Sequence, residues 1–406
     1  MTNRLHGGWL VIGAAAIGVF MTTPGQTVGV SSFVDLLAAD TGLARERVLL
    51  LYSLGTLLGI LPAPLVGRLV DRYGPRRMVL FAALALAAAC MVMSAARDPW
   101  TLAIGFTLLR GAAIGGLSLT SLHMINLWFD RFRGRATSIA MMGLALGGLV
   151  VPQVTEYVIV AHGWRTAYWV LAASVVLIML PVGLLLYRDR PHQYGVLPDF
   201  ERAGTATAAS KKLAGLTLRE AIATRGFWYL ASIAFLVNAV GTALLLNHVH
   251  ALQLAGAERL VAVRLLGLVA ASQLVGTLSG GVLVDRFGAR TVGILGLFLL
   301  AFALVCLMTT PYVLDGFPYA VALGAMIGIL QLTASAGLAE YLGTLHMGKI
   351  RGTTFVIGVA GAAAGPLPLA WSPQAAYGVF LGSAALVATL GAIAGRSPVR
   401  RHQVVE

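Results

Sequence analysis

Long apolar runs dominate this chain, and each is bounded by a few charges or by glycine and proline. Twelve can be marked off, at about 8–34, 48–70, 77–96, 100–127, 135–160, 165–187, 227–252, 260–283, 291–310, 317–342, 352–372 and 374–395. A hydrocarbon core about 30 Å thick needs roughly 20 apolar residues of helix per crossing. Inside it the backbone must satisfy its own hydrogen bonds, which leaves helices or closed barrels. The runs are long and lack the alternation of strands, so helices are expected. Composition agrees: 58% of the 406 residues are hydrophobic, 11% are charged, and the mean hydropathy is +0.84. Cys90 and Cys306 both lie within apolar runs and read as core residues, with no disulfide or metal site implied.

The net charge of +13 suggests nucleic acid in a water-soluble protein. Here it follows the positive-inside rule instead. With the N-terminus in the cytoplasm, 22 of the 29 lysines and arginines fall in or beside inner loops, and Arg110 stands alone in the middle of a span. Both termini are therefore expected on the cytoplasmic side. The surplus charge then serves orientation and contact with anionic lipid, and no nucleic-acid partner is expected. The first run has no small-residue cleavage site, so it reads as a retained helix.

The longest hydrophilic segment, 188–226, separates six spans from six. It divides the chain into an N-terminal bundle (1–187), a cytoplasmic central loop (188–226) and a C-terminal bundle (227–406). The halves resemble each other: GRLVDRYGPRR begins at Gly67, and GVLVDRFGAR begins 214 residues later at Gly281. Arg135 precedes Pro152 as Arg351 precedes Pro368, at an offset of 216. The expected fold class is an all-α membrane protein of twelve transmembrane helices in two pseudo-symmetric six-helix bundles. Such halves mark a transporter working by alternating access, with its substrate site near the midplane.

The repeated stretch supplies glycine for close helix approach, then an acid and several arginines able to form an inter-helix ion pair and cap, and then glycine in a tight turn. Gly67, Asp71, Arg72, Gly74 and Arg76 resemble the loop motif of the major facilitator superfamily. Gly281, Asp285, Arg286, Gly288 and Arg290 are similar to its second copy. Arg110 to Gly116 further resembles the RxxxGxG pattern of that superfamily's fourth span, and implies that Arg110 assists coupling or packing. Three stretches resemble the monocarboxylate transporter and oxalate/formate exchanger branch: the opening at His6 to Trp9, with His6 where that branch carries an acid; the entry to span five from Trp128; and RPHQYGVLPD after span six. The resemblance implies the major facilitator fold and proton symport of a small organic anion. One departure stands out. Where the branch carries a Gly-Arg pair in span eight, this chain has Gly276 and Thr277.

Ionisable and polar groups within spans are functional candidates, because burying them in hydrocarbon costs several kcal/mol. Arg110 is the first of these. Pro24 and Gly25 can either break span one and free carbonyls, which makes Gln26 and Thr27 hydrogen-bonding candidates, or simply kink it. His123 and Asn126 in span four, Asn238, Asn247 and His248 in span seven, Gln273 in span eight and Gln331 in span ten complete the set. His248 or His250 is a candidate proton carrier, as is Glu156 if buried. Gly143, Gly147, Gly358 and Gly361 read as close-packing surfaces that slide or rock.

The expected protein is thus a monomeric transporter in a bacterial inner membrane, with a small-molecule substrate, a coupled proton and lipid as partners, and no cofactor. A proton-driven exporter or a uniporter of a neutral or larger solute is the alternative within transport. A non-transporting receptor or scaffold is the alternative outside it. No catalytic or nucleotide-binding pattern points to an enzyme or a primary pump.

Overall fold

The computed structural model describes residues 2–129, 132–194, 215–309, 316–343 and 347–394. Most of the central loop, 195–214, lies outside them. So does the side chain of Asp285, one residue of the second loop motif. Among the described residues twelve helices are long and apolar enough to cross a membrane. They are Gly8–Ser31, Arg45–Tyr73, Pro75–Ser94, Pro99–Trp128, Arg135–His162 and Trp164–Leu185 (spans one to six), then Arg225–Leu254, Arg259–Val284, Arg286–Thr309, Phe317–Leu342, Lys349–Leu369 and Ala375–Ile393 (spans seven to twelve). These follow the twelve apolar runs within a few residues. Large apolar side chains such as Val160, Leu177 and Phe298 are more than two-thirds exposed. An aqueous surface does not carry so many of these, but a lipid-facing one does.

The chain forms two compact units, Met1–Ala208 and Ala209–Glu406. In the first, span one packs on span five, span two on span four and span three on span six. In the second, span seven packs on span eleven, and spans eight and nine together pack on spans ten and twelve. Glycine makes these contacts close. A Cβ on Gly143 would overlap the Ala16 carbonyl, and one on Gly147 would overlap Thr23 Oγ1. Across spans seven and eleven, a Cβ on Gly361 would overlap the Phe235 carbonyl, and one on Gly365 that of Ala239. The glycines expected to form close-packing surfaces therefore pack against the first span of their own unit. With little hydrophobic drive between helices in lipid, this close backbone approach supplies the van der Waals gain.

At the end of the first unit away from the loop motif, Arg165 joins two segments. Its Nη2 lies 2.7 Å from Asp40 Oδ2 and donates to the Ala96 carbonyl at 3.0 Å. The hydrogen bond from Arg165 holds the Asp40 carboxyl below its usual range.

Two predictions follow from packing and charge. Gly143→Ala is expected to destabilise the first unit by about 1–3 kcal/mol through overpacking. Gly352→Ala, where nothing lies within 4 Å of the new methyl, should be neutral or stabilising by up to ~1 kcal/mol. Thermal unfolding in detergent distinguishes them. Because the folded Asp40 pKa is depressed, its contribution is present above the unfolded value of about 3.9 and is lost as the pH falls through the folded one. Wild type should therefore exceed Asp40→Asn in melting temperature at neutral pH and converge with it in acid.

Candidate functional site

Span one breaks where its sequence predicts. Helix runs over Thr2–Phe20, a 3-10 turn over Thr23–Gly25 and helix again over Thr27–Ser31, with Gln26 extended between them at φ −84° and ψ 158°. Proline has no N–H, so Pro24 cannot bond the Phe20 carbonyl as a regular helix would require. Thr23 Oγ1 donates to that carbonyl instead, at 2.6 Å, and Thr22 Oγ1 donates to Val19 O at 2.6 Å. Beyond the break, Gly29 N and Val30 N both donate to Gln26 O. The carbonyl of Gly25, which Gly29 would otherwise take, is left to another partner.

That partner is Arg110. It lies near the middle of span four, is 5% exposed, and donates from Nη1 to Gly25 O at 2.9 Å. Its guanidinium also stands over the Tyr52 ring, 5.3 Å from the centroid, and Tyr52 Oη shares a 2.9 Å hydrogen bond with Thr27 Oγ1. Arg110 Nε is buried with no partner, as is Ser53 Oγ on the adjoining span two. Among the described residues, Arg110 and Glu156 are the buried members of the Lys, Arg, Asp and Glu set, and Glu156 is engaged by another group. The result is a buried cation met by one carbonyl and one aromatic face, with a donor left over.

Glycines admit this junction. A Cβ on Gly25 would overlap Leu109 O and Ala113 Cβ, and one on Gly59 would come within 3.0 Å of Thr107 O, Gly111 N and Arg110 Cβ. Directly after Arg110 the helix widens into a π-helix over Gly111–Ser118. Such segments are rare and collect at functional sites. The RxxxGxG pattern gave the arginine and the glycines, but not the widened turn.

The loop motif is built twice on one plan. Gly74 has φ 85° and ψ 155°, and Gly288 has φ 81° and ψ 153°; both lie in the region that favours glycine. Arg76 Nη2 donates to the Leu184 carbonyl at the end of span six, 2.6 Å away. Arg290 Nη2 donates to Ala392 O at the end of span twelve, 2.9 Å away. Each arginine thus caps the exposed carbonyls of the last helix of its unit, where a cation also suits the helix dipole. An acid completes each copy. Asp189 Oδ1 accepts from Arg76 N at 3.1 Å, and Glu340 Oε2 accepts from Ala289 N at 2.9 Å. The two acids come from different places, one just after span six and one from span ten. Asp189 was not among the sequence candidates; its only signal is its position between Arg188 and Arg190 directly after an apolar run. Its carbonyl also accepts from Trp128 Nε1 at 2.8 Å, and Arg190 Nη2 donates to Asp71 O at 3.1 Å.

The other candidates disperse. His123 Nε2 lies 3.1 Å from Asp71 Oδ1, though out of line for a hydrogen bond. This moves His123 from a midplane role to the loop-motif end, because roughly three helical turns separate it from Arg110. The inter-helix pair expected of Asp71 is therefore with a histidine. Asn126 is exposed near the same end. Gln26 Nε2 donates to Thr22 Oγ1 at 3.1 Å, beside the Gly25 carbonyl, so Gln26, Thr27 and Arg110 do come together. In the second unit Asn238 and Asn247 donate to carbonyls of their own helix, Ala234 and Ala243. Gln273 is half-buried and Gln331 exposed. Thr277 Oγ1 donates to Gln273 O at 2.8 Å. Here spans eight and ten nearly touch: a Cβ on Gly276 would lie 2.6 Å from Ala325 O, and one on Gly328 would lie 2.6 Å from Thr277 N. Arg72 lies over the Tyr73 ring, 5.3 Å from its centroid, and Arg286 stands over Phe287 at 5.6 Å.

A twelve-span chain of two six-helix units, with a motif repeated at the same turn of each, defines a secondary transporter. The profile of the Major Facilitator Superfamily matches residues 9–366, and the chain belongs to that superfamily. It is 23% identical over 333 residues to the MFS-type transporter pynF of Aspergillus niger, covering 79% of this chain and 72% of that one. It is 26% identical over 361 residues to a triacylglyceride transporter of Mycobacteroides abscessus, covering 76% and 67%. Among solved structures it resembles a bacterial homolog of the human lysosomal transporter Spinster, with TM-score 0.71, 15% identity and coverage of 96% and 95%. It also resembles the nucleoside transporter NupG, with TM-score 0.72, 11% identity and coverage of 95% and 100%. The protein is therefore an integral membrane transporter of a small molecule and not an enzyme.

Removing the acid cap tests the motif. Asp189→Ala should lower stability by about 0.5–2 kcal/mol, while Asp189→Asn, which still presents an acceptor, should lose much less. Thermal melts of the two variants against wild type measure the difference.

Proposed function

We propose that this transporter moves a small organic anion together with a proton, and that Arg110 meets the anion. The observation carrying this reading is the buried guanidinium with an unpartnered Nε beside the broken span one. A cation at that depth is costly unless something compensates it, and one carbonyl with one aromatic face leaves donor capacity for an oxyanion. The resemblance to the monocarboxylate and oxalate/formate branch supports the same substrate class, with the arginine in span four rather than span eight.

A second reading is favoured by Thr277. The place where that branch carries an arginine is here a tight glycine contact between spans eight and ten, which suits a neutral solute. The relatives described as triacylglyceride transporters and the neighbour described as a nucleoside transporter lend it weight.

Uptake of labelled lactate, pyruvate and oxalate into proteoliposomes, with and without an inward proton gradient, separates the two. Anion transport predicts accumulation that follows the gradient. Arg110→Ala should lose about tenfold to a hundredfold in apparent affinity, the equivalent of a charge-assisted hydrogen bond of about 1.5–3 kcal/mol. Arg110→Lys should recover part of it, because it keeps the charge without the planar fork. Unchanged transport in Arg110→Ala would remove the arginine from the mechanism. Gradient-independent uptake of an uncharged solute, with none of the three acids carried, would establish the second reading.

A further inference from the structure

The second unit holds a buried ring pair that the reading above leaves unused. His248, in the last two turns of span seven, is 0% exposed. Its Nε2 lies 3.0 Å from the carbonyl of Ala262, in the first turn of span eight. A carbonyl can only accept, so Nε2 carries the hydrogen and Nδ1 presents a bare lone pair. Nδ1 has no partner. Stacked on the imidazole, with centroids 5.5 Å apart and planes 24° apart, is Tyr319 from the first turn of span ten. Tyr319 is also 0% exposed, and its hydroxyl is likewise without a partner. Two facing rings from different helices thus each bury one unsatisfied polar atom, one an acceptor and the other a hydroxyl. Buried polar groups are nearly always paired, so two exceptions on one pair of rings ask for a reason.

The surroundings leave the imidazole as the titrating group. On span seven, His250 is engaged elsewhere. On span eight, Arg259 is engaged and Arg264 is exposed, as is Glu258 just before the span. On span ten the group that faces His248 is Tyr319, and on span twelve Tyr377, which is near Tyr319, is engaged. Among the described residues no carboxylate or guanidinium is paired with the ring.

We propose that His248 and Tyr319 form the proton-binding site of this transporter. The arriving proton binds the Nδ1 lone pair while Nε2–H stays tethered to Ala262, and it leaves from Nδ1 on release. In the stacked arrangement Tyr319 Oη makes no hydrogen bond to Nδ1; a tilt of either ring would let it donate to the bare nitrogen or accept from Nδ1–H once it is charged. No other bond is made or broken. This deepens the proton-coupling half of the proposed function and rests on it.

His248→Gln is the informative variant, because its amide nitrogen can keep the tether to Ala262 while the side chain has nothing to titrate near neutral pH. In proteoliposomes it should retain substrate counterflow within about twofold but lose gradient-driven accumulation, a loss of about tenfold or more if protonation and uptake are coupled as strongly as typical linked sites. Equal accumulation in His248→Gln and wild type would overturn the proposal. A second readout needs no substrate. In protein with 15N-labelled histidine in lipid nanodiscs, the signal present in wild type and absent in His248→Gln should change from bare to protonated Nδ1 between about pH 8 and the acid limit of the folded protein. A signal that never titrates there sinks the site. If the signal titrates but none of the three acids is carried, the organic-anion reading fails while the proton site stands. Should His248→Gln not fold, Tyr319→Phe keeps the stack and removes the hydroxyl; it must then shift the titration of His248, and an unshifted titration counts against the pair.

Discussion

In hydrocarbon a backbone carbonyl must find a donor inside the protein, and the break in span one meets that constraint residue by residue. Pro24 removes one helical bond, and Thr23 restores it with its hydroxyl. Gln26 turns the chain out of the helix and takes the next amides. A carbonyl that the break frees, that of Gly25, holds Arg110 in the middle of span four. The arrangement works in both directions, since the carbonyl also keeps a guanidinium tolerable at that depth. Tyr52, between Arg110 and Thr27, ties span two to the same point. The glycines of spans two and four let three helices meet there.

The same demand for satisfied ends explains the repeated motif. A turn at positive φ reverses the chain between spans two and three and again between spans eight and nine. Each turn needs a glycine, then an acceptor for the amides that open the next helix, and a cation for the carbonyls that close the last one. Arg76 and Arg290 fill the cation role alike. The acid role is filled from different places, by Asp189 and by Glu340. Pseudo-symmetry is therefore kept in the turn itself, which is local, and relaxed in the distant partner, where any acid brought to the right spot suffices.

The candidate residues divide along the same line. Arg110, Gln26 and Thr27 were legible because an arginine inside an apolar run and a Pro-Gly pair inside another are anomalies in themselves, and the structure brings them to one junction. His123 was equally anomalous as a polar residue within a span, yet it stands beside Asp71 at the loop-motif end. Depth along a span cannot be read from polarity alone. His248 read as one of a pair near a helix end; its burial against Tyr319 depends on spans eight and ten folding around it.

The sequence by itself determined the membrane, the twelve spans, the two halves and the place where span one is interrupted. These follow from local quantities: the length of an apolar run against the thickness of hydrocarbon, the repeat of a turn, and the missing amide of a proline. Only the tertiary structure decided which carbonyl Arg110 holds, which acids cap the repeated turns, where the helix of span four widens, and which polar atoms are left without partners. Apart from the widened turn, each of these depends on residues tens of positions apart in the chain, and it exists only once the helices have packed against one another.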